Sequence, residues 1–443
     1  MTLNDTQHQS SALLMSTLAF VVCFAVWTLL AVIGVQIRSE LQLSETEFGL
    51  LLASPMLSGA LARLPVGILV ERIGGRALMP GVMLLVAMPV YFLSKAQSYQ
   101  QFLLAGFLLG LAGSTFAVGI HYVSAWFGPA HQGLVMGIFG AGTLGAAITN
   151  LIAPLIMFAY GWRMVPEVFA LGLLVIALLF WLVTSEDPFT EGMSRERQPS
   201  LKEQCLPLAD MRVWRFGLYY FFCLGGYVAL ALWLPGYLVS HYELDLQTAS
   251  FYTLIFTLPG ALMRILGGWL ADKVGARQVN WTVFWVALVC LFFLSYPPTT
   301  MTIHGINTEV SITLVMPLWL FMALILVVGM VLGLGQASVY RIIYDYYPER
   351  MGVVGGAVGV FGGIGGFLLP VLFGLAADWV GVRSSCFMLM YGLLALCMVV
   401  MYYGIRWEER SQRWQDAVAN NFLWLDERTS GWSGQGGSSE RQE

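Results

Sequence analysis

The sequence contains twelve separate apolar runs, each long enough to cross a membrane as a helix. A hydrocarbon core about 30 Å thick requires about twenty consecutive apolar residues in a helix. Hydrophobic residues make up 58% of the chain and charged residues only 11%, a composition typical of membrane proteins. We therefore expect an all-α integral membrane protein with twelve transmembrane helices. The runs are 12–35, 46–70, 77–94, 101–126, 132–158, 164–184, 214–240, 248–271, 279–296, 313–342, 351–376 and 383–405.

One long polar segment divides the runs into two groups of six. This segment, "TSEDPFTEGMSRERQPSLKEQCLPLADMR" at 184–212, is rich in proline and charge and is a poor candidate for a packed domain. The sequence predicts an N-terminal six-helix half over 1–184, a central cytoplasmic linker over 185–213, a C-terminal six-helix half over 214–405 and a cytoplasmic tail over 406–443. The tail begins with a stretch that can form an amphipathic helix, and we expect its Gly- and Ser-rich end to be disordered.

The basic residues determine the predicted orientation. With both termini in the cytoplasm, sixteen of the 22 lysines and arginines lie on cytoplasmic flanks, four lie outside and two lie within the membrane. This distribution follows the positive-inside rule. Arg38, directly after the first run, favours the opposite orientation for that helix alone. We expect the summed bias of the later loops to prevail.

Two stretches of the chain are nearly the same: "GALARLPVGILVERIGGR" at 59–76 and "GALMRILGGWLADKVGAR" at 260–277. A second pair, "GIFGAG" at 137–142 and "GVFGGIGG" at 359–366, matches the fifth run with the eleventh. Such a repeat predicts two pseudo-symmetric six-helix halves with a site between them near the midplane, the major facilitator fold. The loop part of the first stretch resembles the signature of that superfamily and predicts gating motifs in both halves: Gly67, Glu71, Arg72 and Arg76, and Gly268, Asp272, Lys273 and Arg277.

Each repeated stretch places one arginine deep in the membrane. Arg63 and Arg264 each precede the acidic residue at the helix end by eight residues, which is roughly 12 Å along the axis. An arginine at that depth keeps its proton and needs a negative partner, yet the runs contain no midplane carboxylate. A purely structural role, with bonds to backbone carbonyls, is the alternative. The symmetric pair instead predicts a shared anion site with one arginine from each half.

Glycines surround both arginines in the sequence. Gly59 and Gly67 flank Arg63 at four residues on either side, and Gly260 and Gly268 flank Arg264 in the same way. This spacing predicts glycine-lined helix faces with room for a ligand. The glycine-dense fifth and eleventh runs predict closely packed helices around a small cavity, and guanidinium groups suit a planar oxyanion.

Other classes of protein find little support. The six cysteines show no CxxC spacing and have no histidine cluster beside them, so we expect neither a disulfide framework nor a metal site. The net charge of −4 and the scattered basic residues argue against nucleic acid as a partner. No catalytic motif is present. We therefore expect a protein that is not an enzyme and carries no cofactor.

Taken together, these segments resemble the NarK-type nitrate/nitrite porter family of the major facilitator superfamily. The resemblance covers nearly the whole membrane region and includes "CFAVWTLLAVIGVQIR", "AGSTFAVGIHYVSAWF" and "LYYFFCLGGYVALALWLP". It implies transport of nitrate, nitrite or both across the inner membrane of a bacterium, by a protein that we expect to be a monomer. It also implies the residues that bind the anion: Arg63, Arg264, Tyr220 or its neighbour Tyr219, Thr143, Gly142 and Gly363.

The chain departs from the family pattern at two positions. Thr143 stands where the fifth span of relatives usually has asparagine, and Gln336 stands where relatives often have lysine or asparagine. A hydroxyl offers one donor where an amide offers two, so the departure at Thr143 bears on selectivity. His121 is the one histidine clearly inside an apolar run, which makes it a candidate proton carrier as well as a candidate structural residue.

The residues leave several functions open. The main prediction is a secondary transporter that works by alternating access, either as a nitrate/proton symporter or as a nitrate/nitrite exchanger. An antiporter of an organic phosphate or carboxylate would also use paired arginines, but it would need additional cations for a dianion. An anion sensor without transport activity would be expected to carry a signalling domain, and the tail here is short.

Overall fold

The computed structural model describes residues 3–127, 132–186, 209–304, 309–347 and 351–432. Within these residues twelve helical segments are long and apolar enough to cross a membrane, which confirms the predicted all-α membrane fold. Spans 1 to 12 are Leu3–Trp27 with Leu30–Leu41, Glu45–Ile73, Gly75–Leu93, Tyr99–Leu109 with Thr115–Trp126, Gln132–Gly140 with Gly145–Tyr160, Met164–Val183, Met211–Tyr220 with Gly226–Tyr242, Leu246–Val274, Ala276–Leu294, Leu318–Tyr346, Met351–Val380 and Ser385–Trp432.

Spans 1, 4, 5 and 7 are interrupted near their centres. Span 4 tightens into a 3₁₀ turn at Gly110–Ser114, and span 5 does the same at Ala141–Leu144. Span 7 widens into a π-helical turn at Phe221–Gly225. Such turns alter the regular hydrogen bonding of a helix and are tolerated inside a membrane only where protein or a polar cavity surrounds them. The interruptions therefore mark the part of the bundle where a polar site can exist.

The repeated stretches end in the same backbone geometry. Gly74 closes span 2 with a φ angle of 85°, and Gly275 closes span 8 with a φ angle of 100°. Positive φ angles of this kind favour glycine. Each of these glycines also immediately precedes the next helix, so the chain turns sharply between spans 2 and 3 and again between spans 8 and 9.

A short hairpin between spans 9 and 10 was not predicted from the sequence. Strands β1 (Thr299–His304) and β2 (Glu309–Leu314) pair antiparallel, with Thr299 opposite Leu314. The tenth run was expected to begin at 313, but the helix begins at Leu318. Apolar content alone set that expectation, and β2 alternates polar with apolar residues as a strand does.

Parts of the predicted linker and tail lie outside the residues that the structure describes. Residues 187–208 of the linker lie outside the described residues, and span 7 already begins at Met211. The last helix continues without a break from Ser385 to Trp432. Leu396–Glu443 forms a compact unit separate from Met1–Ala395. The predicted disorder at the end of the tail falls on residues 433–443, which lie outside the described part of the chain.

The two halves meet through close contacts between helices. A Cβ atom added to Gly49 would lie 2.4 Å from the carbonyl oxygen of Pro370, and one added to Gly363 would lie 2.7 Å from the Cβ atom of Ala60. Both contacts join span 2 to span 11. Spans 5 and 8 meet in the same way, since a Cβ atom on Gly137 would lie 3.7 Å from the Cα atom of Ile265. Each half therefore contributes one glycine-rich span to this interface.

Candidate functional site: an arginine pair between the two halves

Arg63 of span 2 reaches across the interface to span 11. Its Nη1 atom donates a hydrogen bond of 2.6 Å to the carbonyl oxygen of Gly359, and its Nε atom donates one of 3.3 Å to Gly113 in the 3₁₀ turn of span 4. The Cζ atom lies 5.5 Å from the ring centroids of both Trp27 and Phe116. The guanidinium is thus held between two aromatic rings and two backbone carbonyls.

Arg264 of span 8 reaches across the interface in the opposite direction. A Cβ atom added to Gly140 of span 5 would lie 3.3 Å from the Cζ, Nε and Nη2 atoms of Arg264, so the guanidinium rests on the backbone of that glycine. Arg264 also acts electrostatically on the hydroxyls of Tyr227 and Tyr340. The two arginines therefore make reciprocal contacts, each with the glycine-rich span of the other half.

The two guanidinium groups are close enough to repel each other electrostatically. Both arginines are 7% exposed. In the part of the chain that the structure describes, neither has a carboxylate partner. The side chain of Arg264 has no hydrogen-bond partner among those residues either. Two adjacent positive charges in an apolar bundle are costly, and an anion between them would offset much of that cost.

Of the two adjacent tyrosines in span 7, Tyr220 is the one that faces the arginine pair. Its ring packs on Gly362, where an added Cβ atom would lie 2.7 Å from Cδ1, and its hydroxyl interacts electrostatically with Arg63. Tyr219 packs edge-on against Phe284, with 5.7 Å between ring centroids. The sequence left open which of the two tyrosines faces the site, and the packing of span 7 against span 11 selects Tyr220.

Tyr340 and Gln336 of span 10 also lie around this site. The ring of Tyr340 meets that of Tyr220 edge-on at 4.9 Å, and its hydroxyl donates a hydrogen bond of 3.0 Å to Gly355. Gln336, one turn earlier, donates to the carbonyl oxygen of Cys223 at 3.3 Å, while its Oε1 atom is buried without a partner among the described residues. Tyr340 was not predicted from the sequence. Its spacing of four from Gln336 was the available signal.

Three predicted anion-binding residues remain: Thr143, Gly142 and Gly363. Each of them packs against a different part of the bundle. The hydroxyl of Thr143 donates a hydrogen bond of 3.2 Å to the carbonyl oxygen of Gly140, the glycine that faces Arg264. A Cβ atom on Gly142 would lie 2.2 Å from Cδ1 of Phe20, so Gly142 packs on span 1. Gly363 packs on Ala60, one turn along span 11 from the Arg63 contact.

The expected room for a ligand is present on only one side of each arginine. A Cβ atom on Gly59 would lie 2.7 Å from the carbonyl oxygen of Gly110, and one on Gly260 would lie 2.5 Å from the Tyr227 ring. The expectation is therefore wrong for Gly59 and Gly260, because neighbouring helices fill the space. Gly67 and Gly268 have nothing within 4 Å of such a Cβ atom. The open faces both lie toward the helix ends that carry the predicted gating motifs.

These motifs form ion pairs and aromatic contacts in both halves. Arg76 lies 3.8 Å from Glu186, with its Cζ atom 5.1 Å from the Trp181 ring. In the second half, Asp272 accepts a hydrogen bond of 2.5 Å from Arg341. Lys273 lies 4.2 Å from the Trp269 ring, and Arg277 lies 5.4 Å from the Tyr346 ring. The side chains of Glu71 and Arg72 lie outside the described part of the structure.

At the predicted outer end, polar contacts join the two halves. Asp378 of span 11 accepts hydrogen bonds from the backbone of Glu45 and Thr46 at 3.3 and 2.8 Å, and one of 2.5 Å from the Thr46 hydroxyl. Glu45 pairs with Arg38 at 2.6 Å and with Arg383 at 3.7 Å. We call these five residues the outer cluster. Of these five residues only Arg38 was singled out from the sequence, because its partners come from distant spans.

His121 lies half-buried in span 4. It follows Phe116, the ring against Arg63, by five residues, which is about 7.5 Å along the helix axis. The structure therefore places His121 toward the predicted cytoplasmic end of span 4 relative to the arginine pair.

The bundle of twelve spans, its repeated halves and the paired cations between them define a secondary transporter built from two repeats. The Major Facilitator Superfamily model matches residues 15–316 and 308–433. The chain belongs to that superfamily and, within it, to the NarK-type nitrate/nitrite porter family. The family confirms the predicted class of protein, which is a multi-pass membrane transporter.

Similar proteins of this family come from several bacteria. The probable nitrate/nitrite antiporter NarK1 of Thermus thermophilus is 37% identical over 88% of this chain and 90% of that protein. The nitrite extrusion protein of Bacillus subtilis is 30% identical over 91% of this chain and 96% of that protein. Among solved structures, a bacterial homolog of the human lysosomal transporter Spinster matches with a TM-score of 0.71 at 16% identity, over 90% of this chain and 97% of that one. This likeness shows the shared fold.

Proposed function

We propose that the chain transports nitrate and nitrite across the bacterial inner membrane. The observation that carries this proposal is the pair of buried arginines from opposite halves, which approach each other without a carboxylate partner among the described residues. The names of its relatives, a nitrate/nitrite antiporter and a nitrite extrusion protein, support the same substrates. In this proposal the anion lies between Arg63 and Arg264.

The surroundings of the pair favour a small, planar, monovalent anion. The groups that contact the two guanidiniums are aromatic rings and glycine backbone, and the nearby hydroxyls of Tyr220 and Tyr340 act on them electrostatically. Guanidinium groups donate paired hydrogen bonds to planar oxyanions, which an ammonium group cannot do. A phosphate dianion would call for further cations, and the described contacts of the pair include no lysine or histidine. This arrangement favours nitrate and nitrite over organic phosphates.

Alternating access accounts for the difference between the two ends of the bundle. At the predicted outer end the outer cluster joins the halves, whereas Gly67 and Gly268 face open space on the other side of the arginines. We infer that the site communicates with the cytoplasm in this conformation and that the outer cluster separates when the site faces outward. The basic loops support this orientation, with both termini inside. We expect the protein to act as a monomer.

Substitution of the arginines by lysine tests the proposal. Lysine keeps the charge but loses the fork that matches a planar oxyanion. We expect Arg63→Lys and Arg264→Lys each to reduce nitrate uptake into proteoliposomes about 100-fold or more, since a buried charged hydrogen-bond pair contributes several kcal/mol. Arg163→Lys is the matched control, because Arg163 lies near the predicted outer surface and bonds the carbonyl oxygens of Ser94 and Ala96.

The control separates a lost site from a lost fold. All three variants should reach the membrane in similar amounts, and Arg163→Lys should transport at close to the wild-type rate. Near wild-type nitrate uptake by both Arg63→Lys and Arg264→Lys would mean that the pair holds helices together and binds no anion.

A further inference from the structure

A small polar cavity lies at the predicted outer end of the interface between the two halves. Arg38, Glu45 and Arg383 line it, and Trp233 of span 7 forms part of its wall. Trp233 follows Tyr220 by thirteen residues along span 7, which is about 20 Å along the helix axis. The cavity is therefore distinct from the site around the arginine pair, and we call it the outer cavity.

Closely packed side chains separate the outer cavity from the centre of the bundle. The ring centroid of Trp233 lies 5.7 Å from that of Phe48 and 5.8 Å from that of Phe373. A Cβ atom added to Gly236 would lie 3.0 Å from Cε1 of Phe48. These contacts join spans 2, 7 and 11. An anion in the outer cavity can therefore proceed to the arginine pair only after the outer ends of the halves separate.

One carboxylate serves both arginines of the outer cavity. The Oε1 atom of Glu45 lies 2.6 Å from Nη2 of Arg38 but 3.7 Å from Nη1 of Arg383. The side chain of Arg383 is 40% exposed, and an exposed ion pair at that distance contributes little energy. Arg38 is held more firmly, because its Cζ atom also lies 5.2 Å from the ring centroid of Phe48. Two cations and one carboxylate leave an excess of one positive charge.

The two partners of Glu45 belong to different halves of the protein. Arg38 and Glu45 lie in spans 1 and 2, whereas Arg383 lies between spans 11 and 12. Separation of the outer ends would therefore keep the short bond between Arg38 and Glu45 and break the long contact with Arg383. Arg383 would lose its carboxylate as the route to the arginine pair opens. A cation exposed at the entrance of a cleft attracts anions.

We propose that the outer cavity is an entry site for a small monovalent oxyanion, at which Arg383 releases Glu45 and binds the incoming anion. This inference rests on the proposed function and concerns the first contact of external nitrate with the protein. The guanidinium group of Arg383 can donate two parallel hydrogen bonds to a planar oxyanion, as it can to a carboxylate. Glu45 thus occupies Arg383 while the outer end is closed, and the anion takes its place when that end opens.

Arg383→Gln tests the entry site through the KM for nitrate supplied from outside to right-side-out membrane vesicles. We expect this KM to rise about three- to ten-fold at low ionic strength, because a neutral amide does not attract the anion. The difference from the wild type should disappear in an impermeant salt at about 1 M, where the Debye length is about 3 Å. The KM does not depend on the amount of inserted protein, so reduced insertion does not obscure it.

The sign of the change distinguishes anion capture from gating. If Arg383 only held the two halves together, its loss would favour the outward-open state and would lower the outer KM or leave it unchanged. The outer KM would also stay unchanged if Asp378, which belongs to the same half, replaced Glu45 as the partner of Arg383 on opening. Either result would overturn the entry site.

Two further variants show whether a positive charge at this position is what matters. Arg383→Lys should raise the outer KM less than Arg383→Gln, because lysine keeps the attracting charge. Lys95→Gln is the matched control: Lys95 lies near the predicted outer surface, but it pairs with Glu167 of its own half at 3.0 Å. It should leave the outer KM unchanged. An equal rise in Lys95→Gln would assign the effect to the overall surface charge and overturn the entry site.

Measurements from the opposite side separate the entry site from the central site. In inside-out vesicles, where nitrate enters from the cytoplasmic side, Arg383→Gln should keep a KM close to that of the wild type. An equal rise from both sides would show that the variant disturbs the central site, and the entry site would fail while nitrate transport by the wild type left the proposed function intact. Absence of nitrate transport by the wild-type protein would overturn both proposals.

Discussion

Asp378 binds Thr46 across the two halves of the protein. Its carboxylate accepts hydrogen bonds from both the backbone and the hydroxyl of Thr46, at 2.8 and 2.5 Å, and one from the backbone of Glu45 at 3.3 Å. Thr46 lies in the first turn of span 2, whose unpaired N–H groups attract negative charge. A carboxylate from span 11 therefore caps the beginning of span 2 from the opposite half. The cap exists only while the outer ends are together.

We expect Asp378→Ala to shift the conformational equilibrium toward the outward-open state. The variant removes a charged acceptor and leaves the N–H groups of span 2 to water, so the closed outer end loses about 1–2 kcal/mol. This corresponds to a roughly 5- to 30-fold change in the ratio of the two conformations. Pulsed electron resonance distances between spin labels at Ser39 and Gln247 should show a larger long-distance population.

Asp245→Ala provides the matched control for Asp378→Ala. Asp245 caps the beginning of span 8, just as Asp378 caps the beginning of span 2. The carboxylate of Asp245, however, accepts its hydrogen bond from the backbone of Thr248, which lies in the same half. Its loss should lower stability without changing the distance distribution. Equal distributions in wild type and Asp378→Ala would show that the cap does not hold the outer end closed.

Gly359 leaves space for two side chains of the proposed site. A methyl group at this position would lie 3.3 Å from the Tyr340 hydroxyl and 3.5 Å from Nη1 of Arg63. Alanine favours a helix over glycine by about 1 kcal/mol, so Gly359→Ala should not destabilise span 11 itself. We expect it to displace the two side chains and raise the nitrate KM about five-fold or more, from an overpacking cost of about 1–3 kcal/mol.

The control for Gly359→Ala lies one turn away on the same helix. Gly356 has nothing within 4 Å of an added Cβ atom, so Gly356→Ala should transport like the wild type. Equal KM values in the two alanine variants would place the anion away from Gly359.

Much of the fold could be predicted because membrane helices are read from the length and composition of local runs. All twelve spans were found this way, and the glycines that end spans 2 and 8 mark the repeat. The hairpin was missed because β1 and β2 are short and partly apolar. Apolar content averaged over a run does not register the two-residue alternation of polar and apolar residues in β2.

The site was predictable only in part, because its contacts are made between distant residues. Arg63 and Arg264 could be found from depth and symmetry within single spans. Asp378 could not, and Tyr340 had only its spacing of four from Gln336 as a signal, because their contacts depend on which helices meet and on the rotation of each helix about its axis. The same limitation explains why Gly59 was expected to face a ligand and in fact packs on Gly110.

Thr143 offers a test of selectivity. Its hydroxyl donates to Gly140, which faces Arg264. Asparagine has two amide protons, so Thr143→Asn can keep this bond and offer a second donor to the anion. We expect a nitrate KM lowered about three-fold or more, measured in competition with nitrite. Thr143→Val, which offers no donor, should not show this gain. Identical nitrate–nitrite competition curves for Thr143→Asn and the wild type would place Thr143 outside the site.

The coupling of transport to a second solute follows from the charge of the site. Two arginines and one monovalent anion leave a net charge of about +1, whereas the arginines alone carry about +2. Moving charge through the membrane field costs on the order of 2.3 kcal/mol per charge per 100 mV. Reorientation without an anion is therefore disfavoured, which supports exchange of nitrate for nitrite. Proton symport would instead require a titratable group, and His121 in span 4 is the candidate that the sequence supplies.

Nitrate entry into vesicles that contain no nitrite distinguishes the two mechanisms. Under symport, an inward proton gradient should drive entry in the wild type, and both His121→Ala and His121→Gln should abolish it, because neither side chain titrates. Transport by His121→Gln but not by His121→Ala would assign the histidine a structural role, since glutamine keeps hydrogen-bonding groups. Under exchange, entry should require internal nitrite, ignore the proton gradient and survive both substitutions. Gradient-driven entry that persists in both variants would show that the proton passes through a group other than His121.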